Sequence, residues 1–294
     1  MSRRCESQAG LNARPLPVFF KERVLAFSFL LSLFFIFPHS LYGWGEAGHR
    51  IVADVAERHL DPHARREIQA LIGEAPLASI ADWADRVRGD RPETAHWHFV
   101  DIPFKASRYD PKRDCAFPNE GDCVIAAVAR FRALLADRAR SPEERAEALK
   151  FLVHFVADLH QPLHTINRSD RGGNEVPVVF FGEAVHPFSG KPWNLHAVWD
   201  GGLIDRTGLS EGAYVERLQG WLNRRSISDL QRGTVADWAL EAHRAAVNVA
   251  YRIPKDRHLS KGYFEKSVPV MDALLAKAGV RLALLLNEVF GALK

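Results

Sequence analysis

The chain has 294 residues, of which 39 are lysine or arginine and 36 are aspartate or glutamate, giving a formal net charge of +3. The first 43 residues hold five of the basic and two of the acidic residues, which leaves 34 of each in the remainder. The excess positive charge therefore lies in the leader, and the composition gives no support for a broad basic surface that binds nucleic acid.

Residues 1–43 have the pattern of a secretory signal peptide. Basic residues precede an apolar run over 24–37, which is followed by Pro38 and ends in the small residue Gly43. The run is shorter than the about 20 residues that a membrane span needs. We predict cleavage after Gly43, a secreted or periplasmic location, and no stable membrane anchor once the leader is removed. An uncleaved anchor and a misplaced start codon are the alternatives.

The predicted elements after the leader are almost all helical and form one domain over residues 44–294. The predicted helices cover 48–60, 62–73, 124–135, 141–159, 194–204, 211–222, 234–251 and much of 263–293. Asp122 is the predicted cap of the third helix, and Ser141 with Glu144 forms a capping box at the fourth. Strand character is confined to 176–181, within a small hairpin or irregular insertion near 170–192. We predict an all-α, single compact multi-helix domain.

Two cysteines remain after the leader, and they stand close together in the sequence. Cys115 and Cys123 form an even pair in a chain with an export signal, which predicts one local disulfide. Two free thiols are the alternative. A thiolate metal site is disfavoured because no second cysteine pair completes it.

A histidine and aspartate pattern indicates a metal site. His154 and Asp158 are four residues apart in a predicted helix, and His196 and Asp200 repeat this spacing. Positions i and i+4 lie on one face of a helix, so each pair can hold one ion, and imidazole with carboxylate suits zinc. One buried histidine alone is more often a satisfied core residue, but the repeated spacing and the nearby His164 argue against that explanation.

The motifs together resemble the zinc-dependent single-strand-specific nuclease and 3′-nucleotidase family of the S1/P1 type, which is related to zinc phospholipase C. The resemblance rests on Trp44-Gly-Glu-Ala-Gly-His49, Trp83-Ala-Asp85-Arg-Val-Arg88, His98-Phe-Val-Asp101, the stretch 154–164, Gly172-Gly173-Asn174 and the stretch 194–200. Single pieces are weak, but the full ordered set spans essentially the whole chain after residue 43 and is highly specific.

The resemblance implies three zinc ions. The first would be held by Asp85, His98, His154 and Asp158, the second by His164, His196 and Asp200, and the third by His49, by Asp158 as a bridge, and by the amino group and carbonyl oxygen of Trp44. An α-amine is a ligand only when it is free, so cleavage after Gly43 would create part of the site.

The resemblance also assigns roles around the metals. Asp85 would orient the attacking hydroxide, and Arg88 would neutralise charge on the phosphoryl oxygens. Phe99 and Asp101 would contact the nucleobase, and Asn174 would position either the base or a metal ligand through hydrogen bonds. Arg86, a core role for Phe99, and His96 in place of His98 are the competing assignments, and His160 is interpreted as a supporting or structural residue. Arg171 stands where the family pattern has an apolar residue, which leaves the base preference open.

The function implied is hydrolysis of single-stranded DNA and RNA to 5′-phosphorylated products, together with cleavage of 3′-nucleotides. The enzymatic alternative is a phospholipase C-like phosphodiesterase acting on lipid head groups. A non-catalytic zinc-binding protein is the alternative of another class. No protein partner is implied.

Overall fold

The computed structural model describes residues 44–116 and 122–291, and helices dominate this part of the chain. The α-helices are α1 (Glu46–Arg58), α2 (Pro62–Ile72), α3 (Trp83–Val87), α4 (Pro111–Asp114), α5 (Val124–Ala136), α6 (Pro142–Leu159), α7 (Leu195–Ala197), α8 (Leu203–Arg206), α9 (Glu211–Leu222), α10 (Ile227–Leu230), α11 (Val235–Ala245) and α12 (Lys261–Gly291). Short 3-10 turns cover Leu77–Ile80, Pro92–His98 and Pro162–His164. The predicted all-α class is confirmed.

Helix α6 begins and ends where its sequence predicts. The Ser141 hydroxyl accepts the Glu144 amide N–H, and the Glu144 carboxylate accepts the Ser141 amide N–H, so both halves of the capping box are formed. The helix ends at Leu159, and Pro162 opens the following 3-10 turn. Its second half is buried on all sides, between α5, α1 and α12. Helix α6 is therefore the central element of the core.

The third predicted helix begins one residue later than its cap was predicted. Cys123, and not Asp122, is the N-cap residue of α5, and the Asp122 carboxylate instead pairs with Arg130. The predicted disulfide is confirmed: Cys115 and Cys123 are bonded, with 5.0 Å between their Cα atoms. The bonded Cys123 fixes the start of the helix, which leaves the preceding aspartate outside it.

Two predicted helices contain a wide turn that their sequence pattern does not reveal. The segment predicted at 194–204 passes through a π turn at Val198–Gly202, and the one predicted at 234–251 ends in a π turn at Ala246–Ala250. The first ends at a glycine that lets the Trp193 ring pack closely, because a Cβ atom on Gly202 would lie 2.9 Å from that ring. A π turn within a helix is often found at a functional site.

The predicted strand is shorter than expected and has a distant partner. Only Val179–Phe180 is a strand, and it pairs in parallel with His258–Leu259. Single antiparallel bridges join Val185 to Pro192 and Pro177 to Asn194. The insertion is therefore irregular. It makes bridges within itself, and its strand also pairs with the short segment that precedes α12.

The buried apolar side chains form one core around α6, α1 and α12. Within residues 44–116 and 122–291, no helix combines the length and apolar character that crossing a membrane requires. The signal peptide predicted at 1–43 lies outside the described residues and stays a prediction.

Candidate metal centre

Three groups of histidine and aspartate side chains converge in the described part of the chain. In each group the candidate ligand atoms all lie within 4.8 Å of one another. The first group is Asp85, His98 and His154, the second is His164, His196 and Asp200, and the third is His49, His154 and Asp158. All eight side chains that the sequence nominates as metal ligands are therefore brought together.

The first group surrounds a space between α3, the Pro92–His98 turn and α6. His98 Nδ1 lies 3.1 Å from His154 Nε2 and 3.6 Å from Asp85 Oδ1. Asp158 Oδ2 is 2.9 Å from His98 Nδ1. A tetrahedral zinc ion with bonds of about 2.0–2.1 Å to nitrogen holds its ligands about 3.3 Å apart, so this donor set fits zinc. The buried Asp85 Oδ1 atom has no hydrogen-bond partner, as an atom reserved for a cation would.

The second group joins the turn after α6 to the helical segment that follows the irregular insertion. His164 Nε2 lies 3.1 Å from His196 Nε2, and His196 Nε2 lies 3.4 Å from Asp200 Oδ2. The π turn keeps Asp200 on the same side as His196, as the four-residue spacing predicts. This donor set also fits zinc.

The third group centres on the other oxygen of Asp158. His49 Nε2 is 3.4 Å from Asp158 Oδ1, and both atoms are buried without a hydrogen bond. Trp44 is fully buried and stands directly before Gly45, the N-cap of α1. The Gly45 amide N–H donates to the Asp200 carbonyl oxygen at 2.8 Å, so the start of α1 is bonded to the segment that carries the second group. Ligation by the Trp44 amino group stays a prediction.

Backbone carbonyl groups fix the orientation of three of the histidines. The Nδ1 atom of each must donate, because a carbonyl oxygen can only accept, and this leaves the Nε2 lone pair for a cation. The pairs are His154 with Ala81 at 2.8 Å, His164 with His98 at 2.7 Å, and His196 with Gly172 at 2.7 Å.

Gly172 is required by the close approach of the backbone that it makes. Its φ angle is +59°, and a Cβ atom there would lie 2.3 Å from the carbonyl oxygen of Leu163. The glycine lets its own carbonyl oxygen reach His196. The Gly172-Gly173 pair of the motif thus contributes to histidine orientation.

Gln161 supports the second group, a role that was not predicted from the sequence. Its Nε2 atom donates to Asp200 Oδ1 at 2.5 Å, and its Oε1 atom accepts the Leu163 amide N–H. Gln161 is fully buried. A glutamine placed between ligand histidines in the stretch 154–164 is the signal that could have found it.

Burial and neighbouring charges set the protonation of the carboxyl groups. Burial raises the pKa of Asp85 to about 7, and it raises the pKa of Asp200 well above its ordinary value. For Asp158 burial acts in the same direction, but the charges of His154 and His164 overcome it and the pKa falls. Among the three candidate carboxyl ligands, Asp158 is therefore the one whose pKa favours the ionised form.

The members of two competing pairs, Arg88 with Arg86 and His98 with His96, lie in different surroundings. Burial raises the pKa of Asp85, and the positive charge of Arg88 opposes that rise, which places Arg88 beside the first group. Arg86 is exposed and pairs with Asp82. His98 is fully buried in the first group, whereas His96 lies beside Phe99, with 5.4 Å between the ring centres.

His160 has a structural role. Its Nδ1 atom donates to the Val156 carbonyl oxygen at 2.7 Å, and its Nε2 atom accepts from Arg281 at 3.0 Å. Both ring nitrogens are therefore engaged away from the three groups.

A cavity of about 370 Å³ opens beside the second group. It is lined by Phe99, Asp101, Leu163, His164, Ile166, Asn167, Ser169, Arg171, Gly172, Glu175 and His196. Phe99 is half-buried, so its ring is available to the cavity. Asn174 is not part of the lining, and its Nδ2 atom donates to the Arg171 carbonyl oxygen at 2.9 Å. The structure thus brings two of the three predicted substrate residues to the cavity.

Comparison with known proteins identifies the family. The S1/P1 Nuclease family model matches residues 44–291. The chain is 32% identical over 279 residues to Nuclease P1 of Penicillium citrinum, covering 85% of this chain and 98% of that protein. It is 31% identical over 278 residues to Endonuclease 2 of Arabidopsis thaliana, covering 86% and 92%. Nuclease S1 of Aspergillus oryzae is 30% identical over 280 residues, covering 84% and 92%. The chain belongs to the S1/P1 nuclease family and is a nuclease.

Proposed function

We propose that this nuclease is a zinc-dependent phosphodiesterase that hydrolyses single-stranded DNA and RNA to 5′-phosphorylated products and also cleaves 3′-nucleotides. The observation that carries the proposal is the position of Asp158, whose two oxygens face two different ligand groups. A carboxylate shared in this way brings two cations close together, which is the arrangement used for displacement at phosphorus.

Three zinc ions per chain are proposed, one in each group. Asp85, His98, His154 and Asp158 would hold the first, and His164, His196 and Asp200 the second. His49, Asp158 and the amino and carbonyl groups of Trp44 would hold the third. When bound, the zinc ions would supply a water molecule of lowered pKa and positive charge for the phosphoryl oxygens.

The remaining residues bind and orient the substrate. Arg88 lies beside the first group, where its guanidinium fork can bind two phosphoryl oxygens and offset their growing charge. Phe99 offers a ring face to any nucleobase, and the Asp101 carboxylate accepts hydrogen bonds from base N–H groups. The cavity holds both side chains next to His164 and His196. This placement supports a substrate with a base close to the scissile phosphate, as a 3′-nucleotide has.

A secreted or periplasmic location is proposed, with a leader cut after Gly43. Two features support it: the Cys115–Cys123 disulfide, which persists in oxidising compartments, and the burial of Trp44, whose neighbour Gly45 donates its amide N–H to the Asp200 carbonyl oxygen. The cut would expose the Trp44 amine at that place.

The test compares four substrates with one purified protein. Single-stranded DNA, RNA, 3′-AMP and phosphatidylcholine are supplied in parallel, with double-stranded DNA as the structural control. We expect hydrolysis of the first three, with 5′-phosphate ends on the fragments. Preferential release from the lipid would overturn the proposal in favour of a phospholipase C-like activity.

Matched variants separate catalysis from zinc binding alone. Arg88→Ala should lower kcat by about 100-fold, the scale expected for a group that stabilises transition-state charge, whereas the exposed Arg86→Ala should not. Activity should also disappear with a chelator and return with zinc. Activity that survives complete zinc removal would contradict the proposal.

A further inference from the structure

Residues 99–102 form one wall of the cavity and are tied to the ligand-bearing side of the protein. Phe99 and Asp101 line the cavity. Between them, the Val100 amide N–H donates to the His164 carbonyl oxygen at 2.8 Å. This backbone hydrogen bond lies between the two lining residues and anchors the wall to the side of the protein that carries the ligands.

The opposite side of this wall is anchored at both ends of the disulfide loop. The Val124 amide N–H donates to the Phe99 carbonyl oxygen at 2.9 Å, and Val124 directly follows Cys123. The Asp101 amide N–H donates to the Asp114 carbonyl oxygen at 3.3 Å, and Asp114 directly precedes Cys115. The two lining residues thus bond to the two chain segments that the disulfide joins.

The disulfide holds these two segments at a fixed separation. The two Cα atoms are 5.0 Å apart, and the Cys123 amide N–H donates to Cys115 Sγ at 3.3 Å. Cys123 and Asp114 are buried, so neither segment is an exposed surface loop. Without the bond, the segments would be joined through the intervening chain and through the two hydrogen bonds to the wall, and these bonds would have to offset the loop-closure entropy.

We propose that the Cys115–Cys123 disulfide is a positioning element for the substrate wall, holding Phe99 and Asp101 where they contact the nucleobase. It would govern substrate affinity and leave the zinc content unchanged. The inference rests on the proposed function, because it takes these two side chains as substrate contacts. His98, the ligand next to the wall, has an anchor of its own, because its carbonyl oxygen accepts from His164 Nδ1 at 2.7 Å.

The test measures KM, kcat and bound zinc for the double variant Cys115→Ala/Cys123→Ala, with 3′-AMP as substrate. We expect KM to rise about fivefold or more, the scale of losing one base-stacking contact, with kcat within about twofold of wild type. Zinc per chain should equal that of wild type. An unchanged KM in the folded variant would overturn the proposal, as would loss of zinc together with kcat.

A control separates positioning from general destabilisation. Leu218→Ala removes a fully buried side chain in α9, which contributes no residue to the cavity lining, and should lower the melting temperature while leaving KM unchanged. An equal rise of KM in this control would contradict a specific role for the disulfide. The wild-type assay also keeps the two proposals apart, because absence of 3′-AMP hydrolysis there refutes the proposed function before the disulfide is tested.

A second measurement applies if the double variant does not fold. Folded wild-type protein is reduced with a phosphine in zinc-containing buffer and alkylated, and circular dichroism follows its helices. The same rise in KM with intact helices is expected. Unfolding on reduction, or an unchanged KM after complete alkylation, would contradict the proposal.

Discussion

Asp158 faces His49 with its Oδ1 atom at 3.4 Å, and it turns its other oxygen toward the first ligand group. The two residues belong to α6 and α1, whose histidines stack with 3.9 Å between the rings of His49 and His154. One buried carboxylate thereby joins ligand groups from two helices. The proposed catalytic centre depends on this shared residue more than on any other.

Replacing Gln161 should weaken the second ligand group. Gln161→Leu removes the amide that donates to Asp200 Oδ1 and leaves that carboxylate free to turn. Loss of a group that orients a ligand typically lowers metal affinity about 10- to 100-fold. Zinc titration against a competing chelator measures the change. Gln231→Leu, which removes a comparable amide bond to the Val280 carbonyl oxygen, is the control. Equal affinity in the Gln161 variant and wild type would show that Asp200 needs no such support.

Zinc affinity should fall as the pH is lowered through neutrality. Burial raises the pKa of Asp85 to about 7 and that of Asp200 well above its ordinary value, so below these values each carboxyl must lose a proton before it binds a cation. Burial lowers the pKa of His154, but the charges of Asp158 and Asp85 outweigh burial and raise that pKa to about 9, so this histidine also releases a proton on binding over the whole range. Above their own pKa values the carboxyls are already ionised and no longer contribute to the pH dependence. Each proton released makes the affinity fall by about tenfold per pH unit. Chelator competition at about pH 5 to 8 measures this slope. A flat profile below about pH 7 would contradict the shifted carboxyl groups.

Residues added before Trp44 should disable the third group alone. An amide nitrogen has no lone pair to offer, so a chain extended by two residues would lose the proposed amine ligand while keeping its helices. We expect one zinc ion fewer per chain and activity lower by about 100-fold, compared with a chain that begins at Trp44. Metal analysis and circular dichroism of both chains give the comparison. Full activity of the extended chain would rule out ligation by the terminus.

Arg281 should be important for stability and not for chemistry. It is buried in α12 and donates to His160 Nε2, to the Leu230 carbonyl oxygen and to Glu241. Removing one partner of a buried charge network costs about 3–5 kcal/mol, so Arg281→Met should lower the free energy of unfolding by that amount. Arg132→Met breaks an exposed pair with Glu288 and should cost less than about 1 kcal/mol. Urea unfolding of both variants checks the difference, and equal losses would be inconsistent with a network at Arg281.

The sequence predicted most of the helices because their ends are encoded locally. The capping box at Ser141 and the bounds of Glu211–Leu222 were both correct. The π turn at Val198–Gly202 was not predictable from periodicity, which does not separate an α-helical turn from a slightly wider one. The partner of Val179–Phe180 was not predictable either, because it lies almost 80 residues further along the chain at His258–Leu259. Local signals determine helix ends, and pairing between distant segments carries no such signal.

The ligand groups were also predictable, but most of the hydrogen-bonding groups that orient the ligand side chains were not. Spacing alone placed His154 with Asp158 and His196 with Asp200, because the helix geometry is local. The carbonyl groups that orient the histidines carry no side-chain signal and are positioned by tertiary packing. Gln161 carries such a signal and was overlooked. The place of Asn174 at a local turn, outside the cavity lining, likewise follows from the backbone conformation around Arg171 and not from the motif.

The most direct test of the shared carboxylate is the zinc content of Asp158→Asn beside that of the wild-type chain beginning at Trp44. Asp200→Asn is the matched control, because the described contacts of its carboxylate, to His196 and Gln161, both lie in the second group. Three zinc ions are expected in the wild type, a loss of more than one ion in Asp158→Asn, and a loss of at most one in Asp200→Asn. Retention of all three ions in the Asp158 variant would contradict the bridge.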